Sequence, residues 1–275
     1  MYGIPISIIE RGSRMSKGII IVGYGTRKGN LEEVLETQAR RLRCRGWKHV
    51  GIAYFRVSSP TIPEALEAMV DEGVDQIVVL PYYIAEGTLT RELIPEKFGM
   101  QADMAEVQCK GKTVTIQIAP AFDVSFSLTD IICDKIADVN GDQDCGILVL
   151  GHGTRYKSLT NMRVVKLNAE RLRERGYSHA LHSFNEFCEP SIKDVLSDLE
   201  KQGVKRIIAI PLFIAMGLHL GEEIPEQLGI PPYSEGGDIT VNGRTISLSY
   251  TRPVEADNRL TDLLDRQARH YLGIQ

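Results

Sequence analysis

Two histidines and a glutamate in the second half of the chain have side chains that could bind a divalent metal and transfer protons. His152 lies between two glycines, Glu186 follows a strand-like run, and His219 lies in the segment Gly-Leu-His-Leu-Gly. Neutral imidazole is a common ligand of first-row transition metals, and a carboxylate can add a ligand or accept a proton. The three residues form no local metal motif such as H-x-x-x-H, so a metal site here depends on the fold.

The chain contains an internal duplication, which predicts where these residues lie. Residues 43–100 align without gaps with residues 173–230 at an offset of 130, and 19 of the 58 pairs are identical. Upstream, Gly-Tyr-Gly-Thr at residues 23–26 matches Gly-His-Gly-Thr at residues 151–154. Two copies of this length indicate two domains rather than a solenoid. A polar stretch near residues 139–144 marks the junction, so we predict domains at residues 16–140 and 143–275.

Each copy is predicted to be an α/β unit in which four strands alternate with helices. Fully apolar short runs between helices are typical of parallel strands that are covered on both faces. Ligands of such sheets bind beyond the carboxyl ends of the strands. Because His152, Glu186 and His219 follow the first, second and third strands of the second copy, we expect them to meet at one edge of its sheet as a metal and proton-transfer site.

The first copy lacks these groups at the matched positions, where it carries Tyr24, Arg56 and Leu89. The second copy is therefore expected to hold the reactive site. Basic residues follow the first strand of this copy, at Arg155 and Lys157. They could form a positive rim for a ligand that carries several carboxylates. The remaining histidines are expected to be structural or exposed; they are His49, His179, His182 and His270.

Composition and motifs exclude several other classes of protein. The net charge of −4 is not that of a dedicated nucleic-acid binder. The apolar runs are too short to span a bilayer, and no signal peptide opens the chain, whose start could be Met1 or Met15. Five cysteines without a C-x-x-C pair argue against a disulfide framework, an iron–sulfur cluster or a zinc ribbon. We therefore expect a cytoplasmic protein. The sequence contains no Walker A motif, no G-x-S-x-G elbow and no nicotinamide fingerprint.

Three segments of the second copy together resemble the sirohydrochlorin chelatases, which include the CbiX-type cobaltochelatases and their ferrochelatase and nickelochelatase relatives. These segments are Gly-His-Gly-Thr-Arg, Phe-x-Glu-x-x-Glu-Pro-Ser-Ile and Pro-Leu-Phe-x-x-x-Gly-x-His-x-x-x-x-Ile-Pro. The resemblance covers nearly the whole chain, because the first copy keeps the frame of the same motifs. It implies a chelatase-like fold of two duplicated domains, each with a four-stranded parallel sheet flanked by helices, and an active-site cleft between them.

The resemblance also implies a function, which is insertion of a divalent metal into sirohydrochlorin without ATP or another nucleotide. Such a reaction belongs to cobalamin or modified tetrapyrrole biosynthesis, and a chelatase of this kind is a lyase. The family's two histidines match His152 and His219, which would bind the metal, and its glutamate matches Glu186. Arg56 would contact a carboxylate of the ring. Short relatives pair two chains to make one cleft, so this duplicated chain is compatible with a monomer.

The sequence is compatible with more than one metal, and with a carrier as well as an enzyme. Cobalt ranks first because it is the commonest activity of the family, but the same donor set accepts nickel and iron. A non-catalytic carrier of a tetrapyrrole or metal on the same scaffold is the alternative from a different class. Retention of the three groups in one copy favours the enzyme, because a carrier would tolerate their loss from both copies.

Overall fold

The computed structural model describes residues 16–155 and 159–274 of the 275-residue chain. Both halves contain the same elements in the same order. The first half contains β1 (Lys17–Gly23), α1 (Leu31–Cys44), β2 (His49–Tyr54), α2 (Ile62–Asp71), β3 (Gln76–Pro81), a first π-helical turn (Leu89–Leu93), α3 (Ile94–Lys97), β4 (Met104–Cys109), β5 (Lys112–Ile118) and α4 (Phe126–Asp138). The second half contains β6 (Gly146–Gly151), α5 (Leu159–Glu174), β7 (Ala180–Phe184), α6 (Ile192–Lys201), β8 (Arg206–Pro211), a second π-helical turn (His219–Glu223), α7 (Ile224–Leu228), β9 (Gly236–Val241), β10 (Arg244–Tyr250) and α8 (Asn258–Tyr271). None of the helices in the described ranges is both long and apolar enough to cross a membrane.

Each half is built around one five-stranded sheet. The strand order is β2-β1-β3-β5-β4 in the first half and β7-β6-β8-β10-β9 in the second. Four strands of each sheet run parallel, and β4 and β9 pair antiparallel with β5 and β10. The predicted architecture of two duplicated α/β units is confirmed. The prediction of four strands per sheet is wrong, because each sheet gains an antiparallel edge strand.

The additional strands belong to tight hairpins at the edge of each sheet. Two-residue turns join the strands, and their residues have positive φ: 50° and 75° at Lys110 and Gly111, and 49° and 81° at Asn242 and Gly243. Such turns suit the right-handed twist of a hairpin. The dipeptide Asn-Gly was a local signal for β9. The edge strands were not predicted because their residues include exposed polar side chains, so neither strand contains the fully apolar run that marks the parallel strands.

Three hydrophobic clusters hold the sheets and helices in five layers. One outer cluster packs α2 and α3 against the first sheet, and the other packs α6 and α7 against the second sheet. The third cluster lies between the sheets and contains the apolar faces of α1, α4, α5 and α8. Alternate residues of one strand, such as Ile19 and Ile20, face different clusters. Burial on both faces explains why the central strands are apolar throughout.

The last helix of each half packs on the sheet of the other half. Helix α8 lies against β3, and α4 lies against β8. Trp47 of the first half donates a hydrogen bond from Nε1 to Oδ1 of Asp265 in α8, at 2.6 Å. In the reverse direction, the guanidinium of Arg206 at the start of β8 donates to the carbonyl oxygen of Asn140, just after α4, at 2.9 Å. The exchanged helices tie the halves together and fix the cleft between them.

Candidate metal centre and cleft

The sheet order brings three loops of the second half together. Strand β6 lies between β7 and β8, and all three run parallel. His152 directly follows β6, Glu186 lies two residues after β7, and His219 begins the second π-helical turn after β8. The three residues therefore follow the ends of neighbouring parallel strands, at one edge of the sheet.

A glycine allows the first two of these loops to touch. Gly153 has φ of +90°, and a Cβ atom at this position would lie 1.7 Å from the carbonyl oxygen of Glu186. The backbone amide of Glu186 donates a hydrogen bond to the carbonyl oxygen of His152 at 3.1 Å. Only glycine fits a backbone approach this close, in a left-handed conformation that other residues rarely adopt. Gly153 therefore sets the distance between the imidazole and the carboxylate.

The three side chains converge at one point. His152, Glu186 and His219 can each offer one ligand atom such that all three atoms lie within 4.8 Å of one another. Nε2 of His152 lies 3.5 Å from Oε1 of Glu186, and the two imidazole rings are perpendicular with centroids 4.8 Å apart. Within the described ranges, this is the one cluster of three or more residues with such geometry. Two imidazoles and a carboxylate suit a divalent transition metal.

Each of the two imidazoles also makes a polar contact through its Nδ1 atom. Nδ1 of His219 lies 2.6 Å from Oε2 of Glu223, and Nδ1 of His152 lies 3.2 Å from the carbonyl oxygen of Gly153. Cys188 ties the first two loops together, because its sulfur accepts a hydrogen bond from the backbone amide of Thr154 at 3.3 Å. Glu223 was not among the residues predicted for the site. Its position four residues after His219 was a usable signal, since side chains at this spacing meet on a helical turn.

The site faces a cavity of about 730 Å³ that both halves line. His152, Glu186 and His219 lie on its second-half wall, and Tyr24, Arg56 and Leu89 lie on its first-half wall; Phe55, Tyr83, Leu93 and Phe213 add apolar surface. This volume is in the usual range of small-molecule sites. The cavity therefore presents the metal-capable cluster on its second-half wall and a mainly aromatic and apolar surface, with Arg56 and Glu86, on its first-half wall.

The first-half wall carries an aromatic stack with a cation. The rings of Tyr24 and Phe55 lie 6.0 Å apart between centroids, and the guanidinium carbon of Arg56 lies 5.4 Å from the centroid of Phe55. Tyr83 lies beside them, and burial, followed by the nearby Tyr24, raises the pKa of its phenol. The phenol of Tyr83 therefore stays neutral at physiological pH and can donate a hydrogen bond.

The predicted positive rim is only partly described by the structure. Arg155 is exposed, and its guanidinium carbon lies 4.3 Å from the ring centroid of Phe187. Lys157 lies outside the described residues. Lys28, which follows the first strand of the first copy, approaches Glu222 of the second π-helical turn at 4.0 Å.

The other histidines are not part of the metal-capable cluster. His49 pairs with Glu72 at 2.5 Å, and His179 contacts Gln202 at 2.7 Å, so matched histidines contact matched helix ends in the two halves. His182 lies on β7, where burial and the nearby charges of Lys166 and Arg173 lower the pKa of its imidazole.

Fold and site together define a two-lobed α/β protein with a candidate transition-metal site on one wall of its cleft. A protein-family model, CbiX, matches the chain twice, at residues 18–139 and at residues 146–271. The chain therefore belongs to the CbiX family. The two matches coincide with the two halves of the duplication.

Individual relatives agree with this membership. A sirohydrochlorin cobaltochelatase of Methanococcoides burtonii is 35% identical over 128 residues, which cover 46% of this chain and 96% of the relative. A Halobacterium salinarum protein named "Probable sirohydrochlorin cobaltochelatase" is 26% identical over 270 residues, covering 88% of each chain. The solved structure of SirB from Bacillus subtilis with Fe³⁺ has a TM-score of 0.69 at 18% identity, covering 94% of this chain and 96% of SirB. The structural match shows a shared fold.

Proposed function

We propose that this protein inserts a divalent metal, with Co²⁺ as the preferred ion, into sirohydrochlorin in the biosynthesis of cobalamin or another modified tetrapyrrole. The observation that carries the proposal is the convergence of His152, Glu186 and His219 on one wall of a cavity between the halves. The names of the relatives support the choice of substrate.

The chemistry is an exchange of one metal ion for two protons. Two of the four inner nitrogens of the ring carry protons, so a bound M²⁺ must displace both, and no electron is transferred. His152 and His219 would bind the partly dehydrated metal through neutral nitrogens. Glu186, at 3.5 Å from His152, would accept protons as they leave the ring. The reaction written in this way needs no ATP.

The opposite wall would hold the macrocycle. Tyr24 and Phe55 present aromatic surface to the cavity, and flat aromatic rings favour stacked or edge-on contact with one another. Arg56 would pair with one of the carboxylates on the ring edge, because its guanidinium can bind a carboxylate through two hydrogen bonds. Arg155 and Lys157 would serve further carboxylates from the second half.

The test is the anaerobic absorbance of sirohydrochlorin mixed with the protein and Co²⁺, Ni²⁺ or Fe²⁺ in turn, against the same mixtures without protein. Faster growth of the metallated spectrum is expected, with the highest initial rate for Co²⁺. A higher rate with Ni²⁺ or Fe²⁺ would assign a different metal to the same reaction. A spectral shift that stops at one equivalent of protein, without acceleration, would replace the chelatase with a tetrapyrrole carrier.

A further inference from the structure

Glu223 contacts the rear nitrogen of one of the two candidate metal-binding histidines. Its Oε2 lies 2.6 Å from Nδ1 of His219. An ionised carboxylate can only accept hydrogen bonds, so Nδ1 must carry the proton. In a neutral imidazole the other nitrogen, Nε2, then has the free lone pair that a metal requires. A carboxylate behind a metal-binding histidine fixes both the tautomer and the direction of the ring.

The first half of the chain shows that the fold does not require this pair. The two π-helical turns match at an offset of 130, which pairs Leu89 with His219 and Leu93 with Glu223. In each turn the backbone amide that follows donates to the carbonyl of the first residue. The turn therefore forms equally well with two leucines. The histidine and the glutamate are present together in one copy and absent together from the other.

The three residues that follow the π-helical turn are identical in both copies, whereas the histidine and the glutamate are not. Ile94, Pro95 and Glu96 of the first half match Ile224, Pro225 and Glu226 of the second. A glutamate needed for folding would be expected among these shared residues. Glu223 is instead absent from the first copy together with the histidine. This joint absence links Glu223 to the function of His219.

We infer that Glu223 is a positioning residue, which holds His219 in the Nδ1–H tautomer so that Nε2 faces the incoming metal. This inference rests on the proposed function only in assigning His219 to metal binding. Through its contact with Nδ1 of His219, the carboxylate would orient the imidazole before the metal arrives. Glu223 would act through His219 without touching the metal.

The experiment compares wild type with Glu223→Leu, which installs the residue of the first copy, and Glu223→Gln, whose amide oxygen can still accept the bond. Glu226→Gln removes an exposed carboxylate from the following helix and serves as the matched control. Binding of Co²⁺ alone is measured through its visible absorption, and thermal unfolding confirms that each variant is folded. Glu223→Leu should weaken Co²⁺ binding by roughly 10- to 100-fold, Glu223→Gln should weaken it less, and Glu226→Gln should leave it unchanged.

A second measurement detects the tautomer directly. In metal-free protein labelled with ¹⁵N-histidine at about pH 8, His219 should carry its proton on Nδ1 in wild type and shift toward Nε2 in Glu223→Leu, with exposed His270 as internal reference. The inference is overturned if wild-type His219 is protonated on Nε2, or if Glu223→Leu binds Co²⁺ within twofold of wild type. Neither measurement requires turnover. A wild type that binds Co²⁺ through His219 but does not accelerate insertion would refute the proposed function and leave this inference standing.

Discussion

At the level of single residues, the proposed mechanism assigns metal binding and proton transfer to different side chains. His152 and His219 would bind the metal, and Glu186 is the carboxylate beside them, with its Oε1 3.5 Å from Nε2 of His152. A glutamine at this position has the same shape but cannot take up a proton at neutral pH. The two functions can therefore be tested separately.

Glu186→Gln should slow insertion far more than it weakens metal binding. Loss of a positioned proton acceptor typically costs about 10²-fold or more in rate, whereas His152 and His219 remain to bind Co²⁺. Initial insertion rates and Co²⁺ affinity are measured side by side, with Glu174→Gln at the exposed end of α5 as a control of equal charge change. An insertion rate within twofold of wild type would remove Glu186 from the mechanism.

At the scale of secondary-structure elements, the exchanged helices make the halves depend on each other. Leu264 of α8 is fully buried in the cluster between the sheets, together with Leu35 and Val78 of the first half. The single tryptophan, Trp47, belongs to the first half and contacts α8. Its fluorescence therefore reports whether a substitution in α8 changes the unfolding of the first half.

Leu264→Ala should lower the free energy of unfolding by about 2–5 kcal/mol, the usual cost of such a cavity in a core. Because α8 packs on the first sheet, the urea transition reported by Trp47 fluorescence should move together with the transition reported by circular dichroism. The neighbouring Leu263, which is only partly buried, gives a milder control as Leu263→Ala. A Trp47 transition that does not move would show that the halves unfold independently.

The sequence predicted most helices and strands, but not which sheet each helix packs against. Apolar runs and glycine turns located the parallel strands, and the rule that ligands bind beyond strand ends selected His152, Glu186 and His219. The exchange of α4 and α8 could not be predicted, because an amphipathic pattern shows that a helix buries one face but not which sheet covers that face. The domain division at residues 140–143 therefore stays a prediction, and the exchange makes those domains interdependent.

At the scale of the whole molecule, duplication has produced one cavity with two unlike walls. The halves share sheet order and turns, yet among the described residues the one cluster of three metal-capable side chains lies on the second-half wall. A pair of identical short chains would present the same groups from both sides. Under the proposed function, the second-half wall would bind the metal and the first-half wall would hold the ring.

This asymmetry predicts one high-affinity Co²⁺ per chain. Titration of the metal-free protein with Co²⁺, followed by visible absorption, should saturate at one equivalent, because Tyr24, Arg56 and Leu89 offer no comparable ligand set. Tyr24→Phe should leave the stoichiometry and affinity unchanged, while His152→Ala should weaken binding strongly. Two equivalent sites, or undiminished binding in His152→Ala, would contradict the assignment of the metal to the second half.

If His152 and His219 deliver the metal to the ring, the initial rate of anaerobic Co²⁺ insertion into sirohydrochlorin depends on both imidazoles. Wild type is compared with His152→Ala, His219→Ala and the control His270→Ala, which alters an exposed imidazole of α8. We predict that the first two variants fall toward the rate without protein and that the control keeps the wild-type rate. Unchanged rates in folded His152→Ala and His219→Ala would contradict the account.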